Sequence, residues 1–241
     1  MARNPIGNHI YPTLISLIMD NLDAIAEQIE KEMDEKDAVR ELAIKSSRAV
    51  IRMAGNAIRG MHRKENVETI LGEMRDELSR MLSILKGHPD LAHTGFVENA
   101  FIEFSEASIV LSVVTKKSLP TPKELGVTNS GYLQGMGDAV GEFRRFALNS
   151  LRDGKIKDAF EYLKIMDDIH NMLMRFDYPD ALLSIRRQQD LSRSLVEKTS
   201  GEITLTARTK ELEIKLNELK EKIEISNRKS GKTKAKPKRK K

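Results

Sequence analysis

Glycine and proline gather at only a few points in this chain of 241 residues, and the long stretches between them place apolar residues at helical spacing. Those points are the first eight residues, Gly87–Pro89, Pro120–Gly131 and Tyr178–Pro179. No segment sustains the every-other-residue alternation of β-branched side chains that a half-buried strand needs, so the pattern argues against a sheet. It predicts helices over about 12–33, 36–64, 66–86, 94–117, 130–152, 155–175 and 180–225. Thr94 can cap the fourth of these, and Asn129 or Ser130 the fifth. The expected fold is all-α, a single-domain bundle of about seven helices over residues 1–227, followed by a disordered basic tail at 228–241.

Charge separates the body from that tail. The chain holds 41 basic and 36 acidic residues, but nine of the basic ones and none of the acids fall in Arg228–Lys241. The body is therefore mildly acidic. A run such as RKSGKTKAKPKRKK cannot bury a core; it either solubilises the protein or neutralises the phosphates of a nucleic acid. The absence of cysteine excludes a disulfide framework, a thiol nucleophile and a thiolate metal site, and it points to a reducing compartment. The apolar stretch Thr13–Met19 runs into Asp20 and Asp23; it is too short to span a bilayer and carries no signal-peptide cleavage pattern. A cytoplasmic protein without a membrane partner is expected.

One helix face is basic. At 100° per residue, Lys45, Arg48, Arg52, Arg59 and Arg63 fall within roughly 60° of one another, opposite the apolar Ile51, Ala54, Ala57, Ile58 and Met61. The ridge is about 27 Å long. Five bases in a row on a net-acidic body suit contact with phosphates, although a charged stripe is commonly only a solvated face. On the last helix Leu205, Leu212, Leu216, Leu219 and Ile223 take alternating spacings of four and three from Leu212 onward, which suits a partner helix or packing within the bundle.

Two groups of carboxylates look misplaced. The segment Phe96–Thr115 is apolar nearly all round and should be buried, yet it carries Glu98, Glu103 and Glu106 and no basic residue. Carboxylates in such surroundings must protonate, find partners on other helices or bind a cation. In YLQGMGDAVGEFRR, Asp138 and Glu142 stand four apart, an arrangement that mildly destabilises a helix; Glu142 has Arg145 within reach and Asp138 has no base one turn away. Four carboxylates from two helices make an oxygen-ligand set of the kind Mg²⁺ or Mn²⁺ takes, or they pair with arginines elsewhere in the fold. The glycines of GMGDAVG do not follow a strand, so Gly137 and Gly141 read as points of close helix approach. Asp167 and His170, three apart, lack the second Glu-x-x-His motif of a di-iron bundle.

Three segments in order resemble the translin family, and more closely its translin-associated factor X branch. YLQGMGDAVGEFRR (132–145) resembles the signature Y-L-x-G-x-A-D-L-x-G-E-L-x-R, with Gly137 in place of its alanine and Ala139 in place of its leucine. EFSEASIVLSVVTKKSL (103–119) is similar to the E-Y-V-E-A…R-S-L segment of the catalytic branch, and SSRAVIRMAGNAIRGMHR (46–63) to the S-R-x-I…H-R helix. LLSIRRQQDLSRSLVEKT (182–199) fits the long final helix more loosely, and the basic tail is outside the pattern. The resemblance implies an all-helical subunit of an oligomeric, typically octameric, shell that binds single-stranded RNA or DNA, as a homo-oligomer or beside a paralogous chain. It also implies a Mg²⁺-dependent endoribonuclease site (Mn²⁺ being the alternative ion), onto which Glu103, Glu106, Asp138 and Glu142 carry over as both catalytic and metal-holding residues. Glu98 matches no family carboxylate. The alternative function is a non-catalytic nucleic-acid-binding protein of the same family.

Overall fold

A computed structural model of the chain describes residue 19 and residues 21–233, with side chains described through residue 225. Among these residues there are eight helices and no strand: α1 (Leu22–His62), α2 (Glu68–Leu85), α3 (Pro89–Ala92), α4 (Gly95–Val114), α5 (Pro122–Leu125), α6 (Asn129–Arg152), α7 (Ile156–Leu173) and α8 (Arg186–Thr233). The six long helices follow the expected order. The expected break at 34–35 does not occur, because Asp34, Glu35 and Lys36 include no helix breaker and α1 runs straight through them. Residues 12–18 of the first expected helix lie outside the described residues. Two single-turn helices, α3 and α5, were not expected; each opens on a proline at its first turn. α8 continues through Thr233, into the segment read as a tail, while residues 234–241 lie outside the described residues.

The caps differ in detail from the expectation. Thr94 occupies the cap position of α4 in an extended conformation, but its hydroxyl donates to the Leu91 carbonyl at 2.6 Å and does not cap the helix. Thr128, one residue before Asn129, caps α6: its Oγ1 accepts from the Gly131 N–H at 2.9 Å. α5 carries a full capping box between Thr121 and Glu124 and closes on Gly126 in the left-handed region (φ 71°).

α1, α4 and α6 run in the same sense. The Ser47 hydroxyl in mid-α1 donates to the Phe96 carbonyl at the start of α4, and the ends of α1, α4 and α6 together border one cleft of about 990 Å³. The core between the helices is made of Val50, Ala54 and Ala57 from α1, Met74 and Met81 from α2, and Phe104, Phe143, Met166 and Leu173 from α4, α6 and α7, all fully or almost fully buried. Small residues let α4 and α6 touch. A Cβ on Gly135 would stand 2.4 Å from the Ile102 carbonyl oxygen and 2.9 Å from the Glu106 amide nitrogen. Gly137 performs the close approach read from the sequence, its Cβ position filled by the Gln188 side chain at 2.5 Å. Gly141 does not; a Cβ there meets nothing within 4 Å.

Two stretches leave the bundle. The first half of α1 exposes Leu22, Ile25, Ile29 and Met33 at about half of their surface, and α8 beyond the buried Ile203 exposes Leu205, Leu212, Leu216, Leu219 and Ile223. Packing within the bundle therefore does not account for the leucine spacing of α8.

The helix contact gives a direct test. Gly135→Ala should lower stability by about 2 kcal/mol, because the neighbour that must give way is backbone. Gly141→Ala should leave stability unchanged or raise it by up to about 1 kcal/mol. Urea unfolding followed by circular dichroism measures both.

Candidate acidic site and basic ridge

The contact at Gly135 sets the site. It seats α6 on the backbone of α4 at Glu106, so Glu103 and Glu106 on one helix stand beside Asp138, one turn further along the other. All four carboxylates are half-buried. Burial raises Glu103 above the usual carboxylate range, and the charge of Asp138 adds to the effect. Burial likewise raises Asp138, with Arg187 from the start of α8 pulling it partly back. Glu106 is pushed up to about 8, first by burial and then by the charges of Glu103, Asp138 and Glu142. The two pairs read separately from the sequence thus act on one another through space.

Glu142 has its own partners. Its Oε2 pairs with His62 Nε2 at 2.5 Å and, more distantly, with Arg145 Nη1 at 3.8 Å. His62, nearly buried at the end of α1, stacks on Phe146 with ring centroids 4.0 Å apart, and Phe146 in turn stacks on Tyr162. The Nδ1 of His62 is buried and has no hydrogen-bond partner among the described residues. Sequence reasoning missed His62 as part of the site. Its signal was present: at 100° per residue it falls on the edge of the α1 apolar stripe, between the core face and the basic ridge.

Other candidates sort out by their contacts. Glu98, set apart from the site on sequence grounds, accepts from the Thr128 hydroxyl at 3.0 and 3.1 Å and so belongs to the α6 cap. His170 pairs through Nδ1 with the Ser192 hydroxyl at 2.8 Å, which explains it without a metal. Among the described residues no three His, Asp or Glu side chains stand already gathered as a ligand set. Like charges splay their rotamers when nothing positive lies between them. The 990 Å³ cleft is lined by His62, Phe146 and Tyr162 and lies on the far side of His62, without the four acids.

The ridge is exposed along its length. Arg63 is forked onto Glu65 at 2.7 and 3.0 Å, and Arg59 donates to Asn56 at 2.6 Å. Lys45, Arg48 and Arg52 hold no ion pair among the described residues, and they are the bases freest to meet phosphate. No described helix is long and apolar enough to cross a membrane.

A prediction follows from the repulsion. A carboxyl whose folded pKa lies above its ordinary 4.5 stabilises the fold at low pH, and that contribution is lost as pH rises through about 8. In metal-free buffer the melting temperature should fall between pH 6 and pH 9. Glu106→Gln should flatten that slope and melt about 5 °C higher than wild type at pH 9. A wild-type melting temperature independent of pH over this range would show that the acids do not repel.

Comparison with known proteins agrees with the fold. Residues 18–201 match the sequence profile of the Translin family. The uncharacterized protein MJ0175 of Methanocaldococcus jannaschii is 30% identical over 198 residues, covering 80% of this chain and 86% of that protein. The protein chain in the structure of an AfC3PO–duplex RNA complex superposes with a TM-score of 0.63 at 28% identity, covering 76% of this chain and 97% of that one. The crystal structure of AfC3PO gives 0.62 at 28% identity, with the same coverage. Apo-NeC3PO, at 21% identity over 77% of this chain and 97% of its own, gives 0.60 and shares the fold. The profile match spans most of the chain and includes both acidic helices, so the chain belongs to the translin family.

Proposed function

We propose that this protein is an RNA-binding, Mg²⁺-dependent endoribonuclease of the translin-associated factor X type, acting on short single-stranded RNA. The observation that carries the reading is the crowding of four half-buried carboxylates on two touching helices: burial raises Glu103, Glu106 and Asp138, and Glu106 is held up near 8 by burial and by the charges of the other three. A fold keeps such a destabilising group when something positive belongs beside it. The donor chemistry fits a hard divalent ion, since every candidate ligand is a carboxylate oxygen and the remaining positions suit water. Glu103, Glu106, Asp138 and Glu142 would hold it. Bound there, Mg²⁺ or Mn²⁺ would offset charge on the scissile phosphate and lower the pKa of a water.

The chain's own residues supply the rest. His62 and Arg145 fix the Glu142 carboxylate, so that end of the set is preorganised. Glu106 or Glu142 accepts the proton of the attacking water. Lys45, Arg48 and Arg52, with Arg59 and Arg63 further along α1, hold the phosphate backbone without reading bases. The chain has no tryptophan and few other aromatics, so stacking adds little and base preference should be weak. The complex of the related AfC3PO with duplex RNA supports RNA as the polymer. The working particle is a homo-oligomeric shell, octameric if it follows the family, or a mixed shell with a paralogous chain.

A second reading has its own observation. Glu142 is already paired, and among the described residues no ligand set is preformed, which suits a protein that binds RNA or DNA without cutting it. Labelled single-stranded and duplex RNA incubated with Mg²⁺ or EDTA separates the two. The nuclease cuts the single strand only with Mg²⁺, and Glu106→Ala loses at least about 100-fold in rate. Equal, absent or EDTA-resistant cleavage leaves only the binder.

Binding itself tests the ridge under either reading. Arg48→Glu with Arg52→Glu should weaken RNA affinity at every sequence and flatten its salt dependence by about two phosphate contacts. Arg63→Ala should do less, because Glu65 already occupies that guanidinium. Filter binding across a salt series reads both.

A further inference from the structure

α8 borders the acidic site on the side away from α4. It runs parallel to α6: Gln188 fills the space at Gly137, Arg144 Nη1 donates to the Thr199 hydroxyl at 2.7 Å, and Ile203 packs with Ala147. One flank of this contact belongs to α7. There the Gln189 amide donates to the carbonyls of Leu173 and Phe176 at 2.9 Å, the Ser192 hydroxyl pairs with His170 Nδ1 at 2.8 Å, and Ala159 joins Ala147 and Ile203.

The acids stand on the other flank. At 100° per residue, Asp138 and Glu142 lie about 100° and 140° round α6 from Gly137, and Gly135, which seats α4, lies at about 160°. On α8, Gln189 turns about 100° from Gln188 toward α7, so Arg187 turns about 100° the other way, toward Asp138. The acids therefore lie in the groove between α4 and α8, with Arg187 on its far bank.

This arginine is held at its root and free at its tip. Ile185, Gln188 and Ser192 around it are buried and fix the start of α8. The Arg187 side chain itself is exposed and holds no ion pair among the described residues, whereas the adjacent Arg186 is taken by Asp180 at 3.4 Å. Its charge reaches Asp138 without cancelling the effect of burial there. An arginine serving only as counter-ion would close onto that carboxylate, and Arg187 does not. A guanidinium offers a planar fork that matches two oxygens of one phosphate. With the charge of the acids taken up by a divalent ion, a phosphate of the strand is the partner left to it.

We propose that Arg187 grips a phosphate of the RNA strand at the acidic site, from the α8 bank of the groove. The role rests on the nuclease reading and adds to it a substrate contact on a third helix, apart from the α1 ridge.

Full-length wild type, Arg187→Ala, Arg187→Lys and Arg193→Ala test it. Arg193 lies on the same helix but turns to the other flank, toward Met174. Each protein is measured for Mn²⁺ binding by electron paramagnetic resonance, for affinity to a labelled single-stranded oligouridylate in EDTA, and for single-turnover cleavage of that RNA with Mg²⁺. Arg187→Ala should bind Mn²⁺ at least as tightly as wild type, because removing a positive charge does not weaken a cation site. Its RNA affinity should stay within about threefold, since the ridge supplies most phosphate contacts, while its saturating cleavage rate falls about 100-fold. Arg187→Lys should recover part of the rate, restoring the charge but not the fork. Arg193→Ala should match wild type throughout. Cleavage by Arg187→Ala at the wild-type rate overturns the proposal, and so does loss of Mn²⁺ binding in that variant, which would make the arginine a structural support. A wild type that cuts nothing with Mg²⁺ removes the nuclease reading and this role with it; the other two results leave that reading in place.

Discussion

The backbone of α6 at Gly135 rests on the backbone of α4 between Ile102 and Glu106, and the character of the molecule follows from that contact. No residue with a Cβ could sit there without driving the helices apart. Because they touch, acids that are harmless on separate helices become neighbours. The same closeness withdraws them from water, which is why burial stands first among the causes that raise Glu103, Glu106 and Asp138. Packing and electrostatics here oppose one another: the helix contact buries apolar surface, and it also forces like charges together.

The protein resolves that opposition unevenly. Glu98 on the same helix is matched by a hydroxyl and becomes part of a cap. Glu142 is held by an imidazole and, at longer range, by a guanidinium. Glu103 and Glu106 have no ion pair among the described residues, and the one positive charge that acts on Asp138 there, Arg187, offsets its burial only in part. A gradient from satisfied to unsatisfied acids along one interface is hard to explain as packing alone. It is the arrangement expected where a cation completes the charge balance.

Much of this was legible in the sequence, for identifiable reasons. The helices follow from apolar spacing broken by few glycines and prolines, and the four acids stood out because carboxylates in an apolar helix contradict their surroundings. The single helix across residues 34–35 was missed because a run of charges resembles a linker until its helix propensity is weighed. Thr128 was passed over for its neighbours because cap choice turns on backbone angles that a sequence does not show. Gly135 escaped notice beside Gly137 and Gly141, since which glycine touches a neighbour depends on helix rotation. His62 was hidden for another reason: its partner Glu142 lies 80 positions away, and no local spacing announces so distant a pair.

The account rests on a divalent ion drawing these carboxylates together, and anomalous diffraction from a crystal soaked in Mn²⁺ tests that most directly. The predicted result is one strong anomalous peak between α4 and α6, contacted by oxygens of Glu106, Asp138 and their neighbours, which disappears in crystals of Glu106→Gln. Fully soaked crystals with no peak at this interface, and with the acids turned instead onto arginines or lysines, would contradict it.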